Sequence, residues 1–118
     1  MTSGLVLLAE DDVIIANELD ATLQEAGFAV AGPFASCAQA EAWLKLAQPS
    51  AAILDHQLKD GPCDGLLREL TRRGVPTIIF SGHSGPSELP PDLSATTWIT
   101  KPAPSSALVE ELRRCIKY

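Results

Sequence analysis

The chain has no basic run: Lys and Arg number nine against fifteen Asp and Glu, for a formal net charge of −6. A phosphate backbone would be repelled on average, so nucleic acid is not expected as a direct partner. Cysteine is scarce too. Cys37, Cys63 and Cys115 are odd in number and far apart, with no C-x-x-C pair. That usage argues against a disulfide framework or a zinc site and suits a reducing compartment. No basic segment leads into an apolar run near Met1, and Glu10, Asp11 and Asp12 interrupt the first apolar stretch. Neither a signal peptide nor a membrane span fits this pattern, and the expected location is the cytoplasm. Repeats, linkers and low-complexity segments are missing, as are an Asp-x-Asp nucleophile motif and a glycine-rich phosphate loop.

What is present is an ordinary globular composition, 46% hydrophobic and 20% charged, over 118 residues. One domain spanning residues 1–118, with a single core, is expected. Its centre is Ala51-Ala52-Ile53-Leu54-Asp55, four apolar residues without alternation that run into a carboxylate. Such a run fits a strand buried on both faces of a parallel sheet. Burial accounts for Ile53 and Leu54 but not for Asp55, because an unpaired carboxylate at the end of a buried strand is costly to desolvate. The charge needs a cation, a donor cluster or a task.

Leu5 to Ala9 is a second continuous apolar run, and it also ends in acid, at Glu10, Asp11 and Asp12. Ile15, Leu19, Leu23 and Ala26 then recur at helical spacing, with Asp11 or Asp12 placed to cap the helix and Gly27 to end it. Phe28 to Ala31 reads as a short strand closed by Gly32-Pro33. Ser36 can cap a second helix with Ala40, Trp43, Leu44 and Ala47 on its core face, ending before Pro49. After the central strand, a loop from His56 to Cys63 leads to a helix starting at Asp64 and stopping at Gly74. Further strands are expected at Thr77 to Phe80 and Trp98 to Thr100, and a last helix from about Pro104. Alternating strands and helices imply an α/β fold with a parallel sheet. Only between Ser81 and Lys101 does the alternation fail. Three prolines and two glycines there predict a loop of about one turn, pinned by Leu89 and Leu93.

In an open parallel sheet the site lies beyond the carboxyl ends of the strands. Glu10 and Asp11, Asp55, Ser81 and Lys101 all fall there. Three carboxylates converging at about 4 Å would repel by roughly 4 kcal/mol per pair at an effective dielectric of about 20. Lys101 supplies one neutralising charge, and an oxygen-loving divalent cation such as magnesium is the natural source of more.

The acidic pair Glu10-Asp11, Asp55 and Ser81 at strand ends, and Lys101-Pro102, in this order, make the chain resemble the receiver domain of two-component response regulators. The resemblance runs from Leu5 to the last helix. It implies a doubly wound, flavodoxin-like sheet of five parallel strands in the order 2-1-3-4-5, with the fourth helix short or replaced by a loop. It makes Asp55 the phosphoryl acceptor. Magnesium would be held by Asp11, aided by Glu10, by Asp55 and by the carbonyl of Gln57. Ser81 would hydrogen-bond a phosphoryl oxygen, and Lys101 would pair first with Asp55 and then with the phosphoryl group. The implied phosphate source is a histidine kinase or phosphotransfer protein, with output through protein contact or as a phosphate sink or relay. The expected protein is a stand-alone signalling domain, not an enzyme, with magnesium-dependent self-phosphotransfer and slow autodephosphorylation.

Ile79-Phe80-Ser81-Gly82-His83 is similar to the Phe-Ala-Thr-Gly-Tyr type of stand-alone receiver of alphaproteobacteria. Two features depart from the family pattern: the loop from Asp55 to Gly65 is about two residues longer than the usual receiver turn, and the fourth helix is weak. Trp98 stands where receivers often carry an aromatic that moves on activation, or else fills space. His56 is expected to be structural, His83 to be structural or a modulator of hydrolysis, and the cysteines to fill the core. The competing reading is a pseudo-receiver that binds partners without phosphorylation. A small phosphatase of another α/β family is weaker, for want of the motifs noted above.

Overall fold

The computed structural model of the chain describes residues 4–82, 85 and 89–116. Strands β1 (Gly4–Ala9), β2 (Phe28–Phe34), β3 (Ala51–Leu54), β6 (Thr77–Ser81) and β7 (Thr97–Thr100) form one parallel sheet in the order β2-β1-β3-β6-β7. A separate antiparallel hairpin, β4 (Gln57–Leu58) and β5 (Gly61–Pro62), follows β3. Helices α1 (Val13–Glu25), α2 (Cys37–Leu44), α3 (Asp64–Arg72) and α4 (Ser105–Cys115) flank the sheet. This is the doubly wound, flavodoxin-like order that the sequence predicts. Among the described residues, no helix is long and apolar enough to cross a membrane.

The unbroken apolar runs follow from cover on both faces. Side chains alternate across a strand. Leu7, Ala52, Leu54 and Ile79 therefore pack on one side against Ala40 and Leu44 of α2 and Leu66, Leu67 and Leu70 of α3. Val6, Leu8, Ile53, Ile78 and Phe80 pack on the other against Leu19 and Leu23 of α1 and Leu108, Val109 and Leu112 of α4. Each fully buried Leu or Ile contributes about 1.5–3 kcal/mol of transfer free energy.

Three details differ from the sequence expectation. β2 does not stop at Gly32-Pro33 but continues to Phe34. On this edge strand two residues of β2, Gly32 and Pro33, oppose one of β1, Leu8, between the pairs Leu7–Ala31 and Ala9–Phe34. Gly32 sits in that bulge at φ +109°, where a Cβ would lie 2.5 Å from the Leu8 carbonyl oxygen, so only glycine fits. α2 ends at Leu44, which leaves Ala47 beyond it. The expected loop after Asp55 contains the hairpin. Between β6 and β7 the described residues form only a 3-10 turn, Pro91–Leu93, with Leu89 and Leu93 buried as expected.

Candidate functional site

Each strand end delivers its polar residue under main-chain control. Glu10 donates its N–H to the Phe34 carbonyl of β2, Asp55 to the Ala9 carbonyl of β1, and Lys101 to the Ser81 carbonyl of β6, all at 2.9 Å. The next strand over thus sets the height of each residue on the rim. Asp12, not Asp11, caps α1: its carboxylate accepts from the Ile14 and Ile15 N–H groups at 3.0 and 3.1 Å. That leaves Asp11 free of capping and on the rim, where it belongs for the role that the resemblance implies.

Lys101 closes the arrangement. Its Nζ lies 2.8 Å from Glu10 Oε1 and 2.9 Å from Asp55 Oδ2. The Phe80 ring lies beneath it, with the centroid 5.5 Å from Nζ. Glu10 and Asp55 are buried, and Asp11 completes a group in which each residue offers one oxygen, all within 4.8 Å of one another. Burial pushes the Glu10 carboxyl above its ordinary range, against the Lys101 ammonium and the Asp12 N–H that hydrogen-bond to it. Burial works against the Lys101 charge, but the hydrogen bonds and charges of Glu10 and Asp55 outweigh it and raise its pKa. Both shifts favour the proton-bound form. That is how a buried site short of positive charge responds.

The hairpin sets the orientation of Gln57. Cys63 donates its N–H to the His56 carbonyl at 2.9 Å, so residues 56 and 63 form a hydrogen-bonded pair of the ladder. The next pair, Gln57 and Pro62, is then a non-hydrogen-bonded one, whose main-chain groups point away from the partner strand. Pro62 can sit there because its missing N–H is not needed. Gln57 turns its N–H to Asp55 Oδ1 at 3.1 Å, and its carbonyl leaves the strand on that same acidic edge. The clustered donors are all oxygen, the carboxylates of Glu10, Asp11 and Asp55, which suits a hard cation such as magnesium. Ser81 is fully buried at the end of β6, beside this group.

Some features were not anticipated from the sequence. Cys63 Sγ donates to the Asp55 carbonyl at 2.7 Å, and its apolar surroundings push the thiol far above its ordinary range. His56, next to the acceptor position, is buried, with Nε2 2.9 Å from Asp64 Oδ1 and its ring edge-on to Trp98, centroids 5.7 Å apart. His56 Nδ1 and Trp98 Nε1 are buried without a hydrogen-bond partner among the described residues. Trp98 thus packs against the core and also touches the segment that carries Asp55. His83 lies outside the described residues.

A model of the response regulator receiver domain matches residues 6–113, and the chain belongs to this family. Among solved structures, a sensor protein from Polaromonas sp. JS666 is 29% identical, with a TM-score of 0.83 over 97% of this chain and 96% of that one. The signal receiver domain of a signal transduction histidine kinase from Syntrophus aciditrophicus is 25% identical, with a TM-score of 0.82 over 97% and 90%. A CheY-like receiver domain protein from Methanospirillum hungatei JF-1, 22% identical, shares the fold at a TM-score of 0.84 over 95% and 92%. No curated protein sequence matches the chain.

Proposed function

We propose that the chain accepts a phosphoryl group on Asp55 from a phosphorylated histidine of a kinase or phosphotransfer protein. The observation that carries this reading is the Lys101 ammonium held at 2.8 and 2.9 Å between Glu10 and Asp55, with Asp11 in the same oxygen cluster. An Asp55 carboxylate oxygen attacks phosphorus. The phosphorus–nitrogen bond breaks, the imidazole nitrogen keeps the electron pair, and an acyl phosphate forms. Lys101 is within reach of the new phosphoryl oxygens, and the Ser81 hydroxyl is the donor for another. Asp11, Glu10, Asp55 and the Gln57 carbonyl would hold magnesium, which when bound supplies positive charge to the transferring group.

The partner surface is apolar and adjoins the rim. Val13 and Ile14 of α1 are 70% and 79% exposed. Beside them is a hollow of about 180 Å³ lined mainly by apolar Ile15, Leu19, Phe80, Pro102 and Ala103, with Glu18, Lys101 and Ser105 also in its wall. A helical donor laid there would bring its phosphohistidine to Asp55. Signalling then passes through protein contact, or the chain drains phosphate from a kinase.

Acetyl phosphate with magnesium should label the chain once, in a base-labile form, and Asp55→Ala should abolish the label. A label that survives Asp55→Ala moves the chemistry elsewhere. A chain that takes no label and binds no beryllofluoride is instead a binding module that works without phosphorylation.

A further inference from the structure

We propose that Asp60, outside the acidic cluster, is a positioning residue that fixes the Gln57 carbonyl for the metal by tying the hairpin tip to the start of α2. The inference rests on the metal-dependent reading above. Asp60 is exposed in the two-residue turn between β4 and β5, yet its carboxylate makes two long-range hydrogen bonds. Oδ1 accepts from the Cys37 N–H at 2.8 Å, and Oδ2 from the Ala38 N–H at 3.0 Å.

These bonds complete the helix start. The first N–H groups of a helix lack partners within it. Here Asp60 takes those of Cys37 and Ala38, the Ser36 side chain takes that of Gln39 at 3.2 Å, and the Ser36 carbonyl takes that of Ala40. The bonds also hold the hairpin. Each of its strands is two residues long, and so short a ladder does not hold its shape in water by itself. Leu58 is buried beneath it, and Cys37 Sγ lies 3.7 Å from the Gly61 and Pro62 carbonyl oxygens. Gln57 is separated from Asp60 by only Leu58 and Lys59, so freedom at the tip becomes freedom in the direction of its carbonyl. Lys59, the other turn residue, has no side-chain hydrogen bond or ion pair among the described residues and serves as the control.

The test is a magnesium titration followed by calorimetry on the whole chain, with amide exchange at Leu58 as a second readout. Groups that orient metal ligands typically change affinity by 10–100-fold. Asp60→Ala should weaken magnesium by about ten-fold, the low end of that range, and speed exchange at Leu58. Asp60→Asn removes the same charge but keeps a side-chain acceptor, so it should recover most of the affinity. Lys59→Ala should match the wild type. If Asp60→Ala does not fold, Asp60→Ser against Asp60→Asn makes the same comparison with a shorter acceptor. Equal losses in Asp60→Ala and Asp60→Asn would make the effect one of charge and overturn the proposal, as would wild-type affinity in Asp60→Ala. A wild-type chain that binds no magnesium overturns the metal-dependent reading itself.

Discussion

Two connections border the site, and they are built in opposite ways. The one from Asp55 to Asp64 is tied down along most of its length. It has its own ladder, a thiol on the Asp55 carbonyl, a buried histidine on Asp64 and a carboxylate on α2. In the one from Ser81 to Thr97, the described residues form a single 3-10 turn, anchored in the core by Leu89 and Leu93 and tied to α3 only by the exposed Asp92–Arg68 ion pair. The difference suits a division of labour. On the proposed function, the metal ligands and the acceptor gain from being fixed before the reaction, because no reorganisation is then needed as charge develops. A response to phosphorylation needs a segment with few contacts to break.

Matched truncations test this division most severely. Leu58 and Leu93 are 6% and 3% exposed, one in each connection. Leu58→Ala and Leu93→Ala should each cost about 2–4 kcal/mol in urea denaturation, the usual range for a buried leucine. Only Leu58→Ala should also weaken magnesium binding, since it removes the floor under the Gln57 segment. Equal effects of the two on magnesium would erase the distinction between the connections.

Lys101 gives a smaller effect with two opposite signs. Lys101→Met removes the ammonium from between Glu10 and Asp55 and leaves the carboxylates uncompensated. Magnesium should then bind about ten-fold more tightly, roughly 1.4 kcal/mol, while labling of Asp55 by acetyl phosphate slows. A fall in magnesium affinity would mean that Lys101 supports the metal site by organising it and does not compete with the cation.

How much of this could be read from the sequence depends on how local each cause is. The rim residues were legible because a buried strand that ends in a charge is an energetic anomaly wherever it occurs, and five of them fell at strand ends. The parallel sheet followed from apolar runs and the loop before β7 from prolines and glycines, while the strand order came only with the resemblance to receivers. The hairpin was not legible. Asp60-Gly61 is a turn signal, but strands of two residues are too short for an alternation of apolar and polar positions to register. Gly61, at φ +116°, fits a general loop as well as a hairpin turn when only the sequence is considered. The tie from Asp60 to Cys37 and the contact of His56 with Trp98 join residues more than twenty positions apart, and no local pattern announces them. The bulge that carries β2 past Gly32-Pro33 depends on its place at the sheet edge, which only the assembled fold supplies.

Beryllofluoride should act on one connection and spare the other. Amide exchange should slow between Leu89 and Thr96 and change little between Gln57 and Cys63. Trp98 fluorescence should shift at the same time, because its ring lies between the core and His56. A response confined to α1 would transfer the signalling role to the exposed Val13 and Ile14 surface.

The smallest expected effect is an acid dependence of the tie to α2. The Cys37 and Ala38 N–H groups hold the Asp60 carboxyl below its ordinary value of 3.8. A carboxylate with a depressed pKa in the folded chain stabilises the fold above its unfolded pKa, and that contribution disappears as pH falls through the folded value. The stability gap between wild type and Asp60→Asn should therefore be constant from neutral pH down to about 5, then narrow below the ordinary carboxylate range. Subtracting one variant from the other cancels the carboxylates that they share, so urea midpoints measured in parallel isolate this one group. Because Asp60 is exposed, the gap should be modest and should shrink little with added salt, since hydrogen bonds to the helix start, more than distant charge, sustain it. A gap that is independent of pH down to 2 would mean that Asp60 titrates alike in the folded and unfolded chain, and that the tie is too weak to hold the hairpin.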